Sequence, residues 1–128
     1  MNPESLAPPI GYAHAVVTAP GRLVFLGGQT SQDEEGVVRG EALVEQFDLA
    51  LGNVVEALAA AGGRPEHLVS LLVYVTDIDA YRRALRDLGE TYRRHFGRHF
   101  PAMALLEVAS LLDPASQIEL VGTAVVPE

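Results

Sequence analysis

The stretch HLVSLLVYVTD, residues 67–77, decides the fold, because it is too apolar for a strand with one face in water. It predicts a strand in the middle of a sheet. Asp79 follows closely, and aspartate is typical of the residue that caps the start of a helix. We therefore expect a buried strand that leads directly into a helix over residues 80–96.

Two amphipathic helices are expected. The first is EALVEQFDLALGNVVEALAAAGG, residues 41–63, which ends at Gly62 and Gly63. Its apolar residues repeat at helical spacing, at Leu43, Phe47, Ala50, Leu51, Val54, Leu58 and Ala61. The predicted inner side of the second helix carries Tyr81, Leu85, Leu88, Tyr92 and Phe96. Both apolar stripes need a surface to pack on, and a sheet supplies it.

Four further strands are expected. They are HAVVT (14–18) and RLVFLGG (22–28), paired as a hairpin around Pro20-Gly21, and AMALLEVASL (102–111) and QIELVGTAVV (117–126). The order is β-β-α-β-α-β-β. We therefore expect an α/β protein of the α+β type, with two helices on one face of a mixed sheet. Residues 1–128 are expected to form a single domain, with residues 1–10 as a loose lead-in.

The last strand carries apolar residues on both faces. Alternation places Val121 and Val125 on one face and Leu120 and Val126 on the other. Two helices cover only one face of the sheet, and the chain has no further element for the second face. We therefore expect the protein to self-associate.

Composition excludes several classes of function. The chain has no cysteine, so disulfides and thiolate chemistry are excluded, and the net charge of −8 argues against binding to nucleic acid or to anionic membranes. No apolar run reaches the roughly 20 residues of a membrane span. The first residues lack the order of a signal peptide. We expect a soluble, cytoplasmic protein.

Several segments together resemble one family. IGYAHAV, LVFLGGQTS, HLVSLLVYVTDIDAY, FPAMALLEVASL and IELVGTAVV are similar, in this order, to segments of the Rid family (reactive intermediate deaminase, RidA/YjgF). The resemblance runs from Ile10 to Val126. It implies a chorismate-mutase-like fold and a homotrimer whose clefts between subunits bind small molecules. It also implies hydrolysis of reactive enamines and imines, such as 2-aminoacrylate; older family labels are translation inhibitor and L-PSP endoribonuclease.

The chain departs from the family at the positions that handle substrate. Deaminase members have an arginine after FPA, which holds the substrate carboxylate, whereas this chain has Met103, and a thioether cannot pair with a carboxylate. In the last strand Glu119 matches the first glutamate of the family pattern, but Val121 replaces the second. The resemblance also maps small or apolar residues onto other polar family positions, at Ala13, Gly27, Gly89 and Leu105.

Three residues are the candidate acid–base groups. Glu107 shares a strand face with Met103 and Leu105, where desolvation suits a general acid or base. The alternative, which we favour, is that Glu107 pairs with backbone or a neighbouring subunit. Glu119 is the remaining family glutamate. His14 adjoins the position of the family's pocket tyrosine, and histidine is a common general acid or base, although an ordinary strand histidine is favoured.

The resemblance predicts a ligand cleft lined by Tyr12, Gly27, Gly28, Gln29, Met103, Leu105 and Val121. The two glycines indicate either a strand-end bulge or close approach of a ligand to the backbone. No phosphate-binding or dinucleotide motif is present, and we expect no cofactor. His95 and His99 have metal-like spacing, but Gly97 interrupts the helix between them, so we expect no metal.

Six of the nine arginines lie in or just after the second helix, at Arg82, Arg83, Arg86, Arg93, Arg94 and Arg98. An RNA-binding surface is one interpretation. A solvated helix face with ion pairs four residues apart is favoured, through Arg83–Asp87, Arg86–Glu90 and Glu90–Arg94.

Three functions follow: a divergent enamine or imine hydrolase that does not use a substrate carboxylate, a non-catalytic module for a small apolar metabolite, and, least favoured, an endoribonuclease.

Overall fold

The computed structural model describes all of residues 1–128 and contains one four-stranded sheet. The strands are β1 (Gly21–Phe25), β2 (Leu68–Val75), β3 (Ala102–Glu107) and β4 (Ile118–Pro127). They are ordered β1-β4-β2-β3, and only β2 and β3 run parallel. The helices are α1 (Leu43–Ala60), α2 (Ile78–Arg83) and α3 (Leu85–Phe96), with a 3-10 turn at Pro65–His67. The predicted α+β architecture around a mixed sheet is confirmed.

Strand β2 is central, as predicted, with β4 and β3 on its two sides. Its residues Leu68, Leu71, Val73 and Val75 are buried against the helices. The predicted alternation of β4 is also confirmed, because every second residue from Ile118 to Val126 is buried. The core therefore lies between one face of the sheet and helices α1 and α3.

Helix α1 confirms the predicted apolar stripe from Leu43 to Leu58, while Ala61 lies just beyond the helix as its C-terminal cap. One buried residue of this face is polar. Gln46 is 1% exposed, and its side-chain amide makes hydrogen bonds to backbone groups in the segment before α1 and in the segment before β4. The side chain therefore joins α1 to the segment that leads into β4.

The second predicted helix is wrong in two respects. It is broken at Ala84 into α2 and α3, and Asp77 rather than Asp79 caps it, by accepting a hydrogen bond from the Ala80 amide at 3.1 Å. Asp79 instead pairs with Arg82 at 2.9 Å. Leu85, the first residue of α3 after the break, is 58% exposed rather than buried.

The predicted strand over residues 14–18 is absent, and so is the hairpin with β1. Ala13 pairs instead with Ala102 of β3, through a hydrogen bond from the Ala13 amide to the Pro101 carbonyl at 3.0 Å. Strands β3 and β1 are opposite edges of the sheet. The residues after Ala13 must therefore cross the end of the sheet to reach β1 and cannot pair along it.

The face of the sheet away from the helices is apolar and uncovered in the single chain. Leu23 is 64% exposed and Phe25 is 77% exposed, and their register partners on β4, Val125 and Thr123, place them on this face. Leu106 at the other edge is also exposed. Self-association through this face stays a prediction. None of the helices combines the length and apolar character needed to cross a bilayer.

Candidate functional site

An apolar cavity of about 460 Å³ lies between β3 and helix α3. Its walls include Tyr81, Leu85, Leu88, Tyr92, Phe100 and Met103, together with Ile10 and Gly11 of the N-terminal segment. A neighbouring cavity of about 320 Å³ shares Met103, Tyr81 and Leu85 and adds Tyr12 and Leu105. We call the two together the Met103 cavity. Its size falls within the range of small-molecule pockets.

The register of the sheet explains why Met103 reaches this cavity. Met103 lies opposite Leu71 of β2, whose side chain is buried against the helices, so Met103 faces the same side. The cavity wall behind it is a stack of aromatic rings. Tyr92 lies 5.1 Å from Phe96 and 5.6 Å from Phe100, centroid to centroid, and the rings are nearly parallel. The result is a rigid apolar wall beside the thioether.

Two polar side chains border the Met103 cavity. The Tyr81 hydroxyl has no hydrogen-bond partner within the chain, and burial raises the pKa of this phenol. It therefore stays protonated at neutral pH and can donate a hydrogen bond. The second group is Arg93, whose guanidinium lies over Gly89: a Cβ at residue 89 would be 3.3 Å from Nη1 of Arg93.

Glu107 is exposed rather than desolvated among apolar side chains, which corrects the expectation for a buried acid–base group. Its carboxylate accepts a hydrogen bond from the Ile78 amide at 3.0 Å, where helix α2 begins. A carboxylate at this place satisfies an amide that has no partner within the helix. The contact with backbone is the structural role favoured in the sequence analysis.

His14 is held by the N-terminal segment. Its Nε2 lies 2.7 Å from the Ala7 carbonyl oxygen, and its amide donates to the side chain of Asn2 at 2.8 Å. Its ring meets that of Tyr12 edge to face, at 5.3 Å between centroids. Tyr12 lines the Met103 cavity, whereas His14 does not.

Gly27 and Gly28 form a bulge after β1. The Leu26 amide donates to the Gly122 carbonyl, and Gln29 pairs with Leu120, so two glycines stand opposite one residue of β4. The bulge also permits a close approach, because a Cβ at Gly28 would clash with the Glu119 carboxylate.

Glu119 packs on this bulge and is half-buried, and no hydrogen bond or ion pair holds its carboxylate. It lies opposite Tyr74, and Val121 lies opposite Leu72, on the sheet face away from the helices. The predicted site residues therefore separate into two groups. Tyr12, Met103 and Leu105 meet at the Met103 cavity, whereas Gly27, Gly28, Gln29, Glu119 and Val121 lie around the other face and the β1 edge.

Gln29 also borders a separate polar cavity of about 430 Å³, beside the loop that carries Asp33. The Asp33 carboxylate accepts hydrogen bonds from the amides of Val37 and Glu35 and from Arg39, at 3.0, 2.9 and 2.8 Å. These bonds hold the pKa of Asp33 below its ordinary value. The largest effect comes from the hydrogen bond of the Val37 amide, and the next from that of Arg39. These bonds fix the shape of the loop.

The histidines and arginines of α3 have mainly structural contacts. His95 lies 2.7 Å from the Asp48 carboxylate of α1, and Arg94 pairs with the same carboxylate at 3.5 Å instead of with Glu90. His99 bonds a backbone oxygen. Three or more potential metal ligands do not come together anywhere in the chain.

The predicted arginine pairs are only partly correct. The pair of Arg86 with Glu90 is present at 3.7 Å, whereas that of Arg83 with Asp87 is absent because the break at Ala84 places them in different helices.

Sequence reasoning missed the two polar residues of the Met103 cavity. Tyr81 was assigned to the core and Arg93 to a solvated face. The sequence signal for Arg93 is the glycine four residues before it, because one turn of helix brings residues 89 and 93 together and Gly89 leaves space above itself.

The comparisons with known proteins agree on one family. The sequence profile described as Endoribonuclease L-PSP matches residues 3–126. Protein DfrA of Myxococcus xanthus is 31% identical over 125 residues, covering 96% of this chain and 88% of DfrA. Human 2-iminobutanoate/2-iminopropanoate deaminase is 30% identical over 115 residues, covering 89% and 79% of the two chains. A crystal structure of the Rid-family protein YyfB from Yersinia pestis has a TM-score of 0.87 at 29% identity, covering 98% and 96%.

A mixed sheet with helices packed on one face is therefore the fold that this chain shares with this class of small α+β proteins. The chain belongs to the Rid (RidA/YjgF) family.

Proposed function

We propose that the protein is a homotrimer whose clefts between subunits bind a small, mainly apolar metabolite. Within this family role, we propose a divergent enamine or imine hydrolase whose substrate presents no carboxylate to residue 103. The observation that carries the proposal is the apolar wall around Met103, at the position where deaminase relatives are expected to have arginine. We expect this role to be cytoplasmic.

A second copy of the chain completes the proposed cleft. Glu119 and Val121 face away from the helices, whereas Met103 faces toward them, so one chain cannot present all three to one ligand. The exposed Leu23 and Phe25 supply apolar area for such contact. Sedimentation tests this step: we expect a trimer, and a monomer would remove every cleft between subunits.

Among the candidate acid–base groups, Glu119 is the one we propose to act. Its carboxylate is free of hydrogen bonds within the chain, whereas Glu107 is bonded to the Ile78 amide and the His14 ring to the Ala7 carbonyl. In the proposed reaction, Glu119 takes a proton from water as the hydroxide adds to the imine carbon, and it passes this proton to the nitrogen to give a carbinolamine. The hydroxyl proton then moves through Glu119 to the nitrogen, the C–N bond breaks, and ammonia leaves behind a carbonyl group.

The enzymatic proposal is tested with iminopropionate generated in situ, whose loss is followed with and without the protein. We expect little or no acceleration, because Met103 cannot hold the substrate carboxylate. Apolar imines without a carboxylate on the imine carbon are tested in parallel by release of ammonia. We expect acceleration there that Glu119→Gln abolishes and Glu107→Gln retains. If neither substrate class is turned over faster than in buffer, the hydrolase is refuted.

A non-catalytic binding module is the second candidate. It is favoured by the apolar lining of the Met103 cavity and by the absence of a carboxylate among its wall residues. A small molecule that stays bound through purification, detected by native mass spectrometry, supports this function if turnover is absent.

We do not extend the endoribonuclease activity named in the family description to this chain. Arg82, Arg86 and Arg94 are each paired with an acidic side chain, so these arginines of α2 and α3 are partly neutralised. A net charge of −8 further disfavours binding to a phosphate backbone.

A further inference from the structure

Arg93 is the arginine without an acidic partner that lies at the Met103 cavity; Arg83 and Arg98 are also unpaired but lie outside it. Arg82, Arg86 and Arg94 each lie within 4.0 Å of a carboxylate, whereas Arg93 makes no ion pair and no side-chain hydrogen bond within the chain. Its side chain turns back along α3 and lies over Gly89, at the wall of the Met103 cavity. An unpaired guanidinium at an apolar cavity is a group that can bind an anion.

The residue at position 89 makes this placement possible. A side chain at residue 89 would bring a Cβ to 3.3 Å from Nη1 of Arg93, so the guanidinium would have to shift by a few tenths of an ångström. The family resemblance maps an asparagine of many members onto Gly89. This chain therefore differs from those family members at two positions of the same cavity. Glycine replaces a polar residue on the α3 wall at 89, and methionine replaces arginine on the β3 wall at 103.

We propose that Arg93 is the anion-binding residue of the Met103 cavity and that the ligand is a monocarboxylic acid with an apolar or aromatic body. The proposal rests on the ligand cleft proposed above. In this proposal the ligand's carboxylate binds to helix α3, at Arg93, instead of to strand β3, where the deaminase members have their arginine. Met103 and the aromatic wall hold the body of the ligand, and the Tyr81 hydroxyl is available as a hydrogen-bond donor beside them.

The size and charge of the site select this class of ligand. A cavity of about 460 Å³ exceeds what a three- or four-carbon imino acid fills, and its aromatic walls suit a ring or a medium-length chain. One guanidinium balances one negative charge. In a chain of net charge −8, a doubly charged phosphate is disfavoured relative to a carboxylate.

The test compares 4-phenylbutanoate with its neutral amide, 4-phenylbutanamide, by calorimetry on the full-length protein. We expect the acid to bind about tenfold more tightly than the amide, as one charge-assisted hydrogen-bonded pair provides. Added salt should reduce this preference, because the guanidinium is exposed. Arg93→Gln should abolish the preference, and Arg93→Lys should retain part of it.

Arg83→Gln is the matched control. Arg83 is also exposed and has no ion pair, but it lies outside the Met103 cavity, so the preference for the acid should be unchanged. A preference that survives in Arg93→Gln, equal binding of acid and amide to the unaltered protein, or no binding of either probe would each overturn the inference. Because turnover is not measured, failure of the hydrolase assay leaves this result standing, and the two proposals fail separately.

Discussion

Gln46 is the residue whose replacement tests how the start of β4 is held in place. Its side chain is 1% exposed and makes three hydrogen bonds to backbone groups. The amide nitrogen donates to the carbonyls of Gly40 and Ala115 at 3.0 and 2.9 Å, and the amide oxygen accepts from the Gln117 amide at 2.8 Å. Gln46→Leu keeps the approximate volume of the side chain and removes all three bonds.

The expected loss of stability is about 2–3 kcal/mol. Each bond contributes roughly 1 kcal/mol net, and the better burial of leucine offsets about 1 kcal/mol or less of the total. The entropy of unfolding near 60 °C is about 2.1 cal/mol/K per residue, or about 0.27 kcal/mol/K for a chain of this length. The melting temperature should therefore fall by roughly 7–11 °C.

Thermal unfolding by circular dichroism measures this change, at one fixed protein concentration because self-association raises the melting temperature. Gln32→Leu is the control, since Gln32 is exposed and its side chain makes no hydrogen bond. That change should alter stability by less than about 0.5 kcal/mol. A fall of less than about 2 °C for Gln46→Leu would refute the reasoning, because it would mean that water replaces the three bonds without loss.

Three further predictions concern single groups. Tyr92→Phe removes the hydrogen bond to the His99 carbonyl but keeps the ring stack, so urea unfolding should show a loss of about 1 kcal/mol; no loss would mean that this bond is not formed in solution. Glu107→Ala should lose about 0.5–1 kcal/mol with the bond to the Ile78 amide, whereas Glu107→Gln, which keeps an acceptor, should lose little; equal losses would contradict this. Because the pKa of Asp33 is lowered in the folded protein, its ionised carboxylate stabilises the fold above the unfolded-state pKa. Asp33→Asn should therefore lower the melting temperature at pH 7. This difference from the unaltered protein should disappear as the pH falls through the folded-state pKa, which melting temperatures at pH 7 and in acid measure.

Regular periodicity made the central parts of the fold predictable. The stripe of α1 and the alternation of β4 were read correctly, because burial on one face repeats at a fixed interval along the sequence. The strand over residues 14–18 was wrong for a different reason. Its valines fit a strand, but the bond between Ala13 and Pro101 anchors the preceding residue at the far edge of the sheet. Local pattern carries no information about such an anchor.

The break at Ala84 could not be predicted either. Alanine favours helix, and neither glycine nor proline stands there, so nothing in the local sequence marks an end. Tyr81 packs against the core as predicted and also borders the Met103 cavity, whereas Leu85 is exposed at the cavity wall. The position of Arg93 was likewise not predicted, because it depends on which of several arginines borders the cavity in three dimensions.

The separation of the predicted site into two groups follows from sheet register alone. Met103 pairs with Leu71, the neighbour of Leu72 on β2, so Met103 and Leu72 face opposite sides of the sheet. Val121 pairs with Leu72 and faces the same side as Leu72. A shift of one residue in β3 would be needed to bring Met103 and Val121 to one face, and it would turn every side chain of β3 to the opposite face of the sheet. The two family positions can therefore meet at a ligand only across two copies of the chain. If the protein proves to be a monomer, the Met103 cavity with Arg93 remains within the single chain, whereas any role of Glu119 at the same ligand is lost.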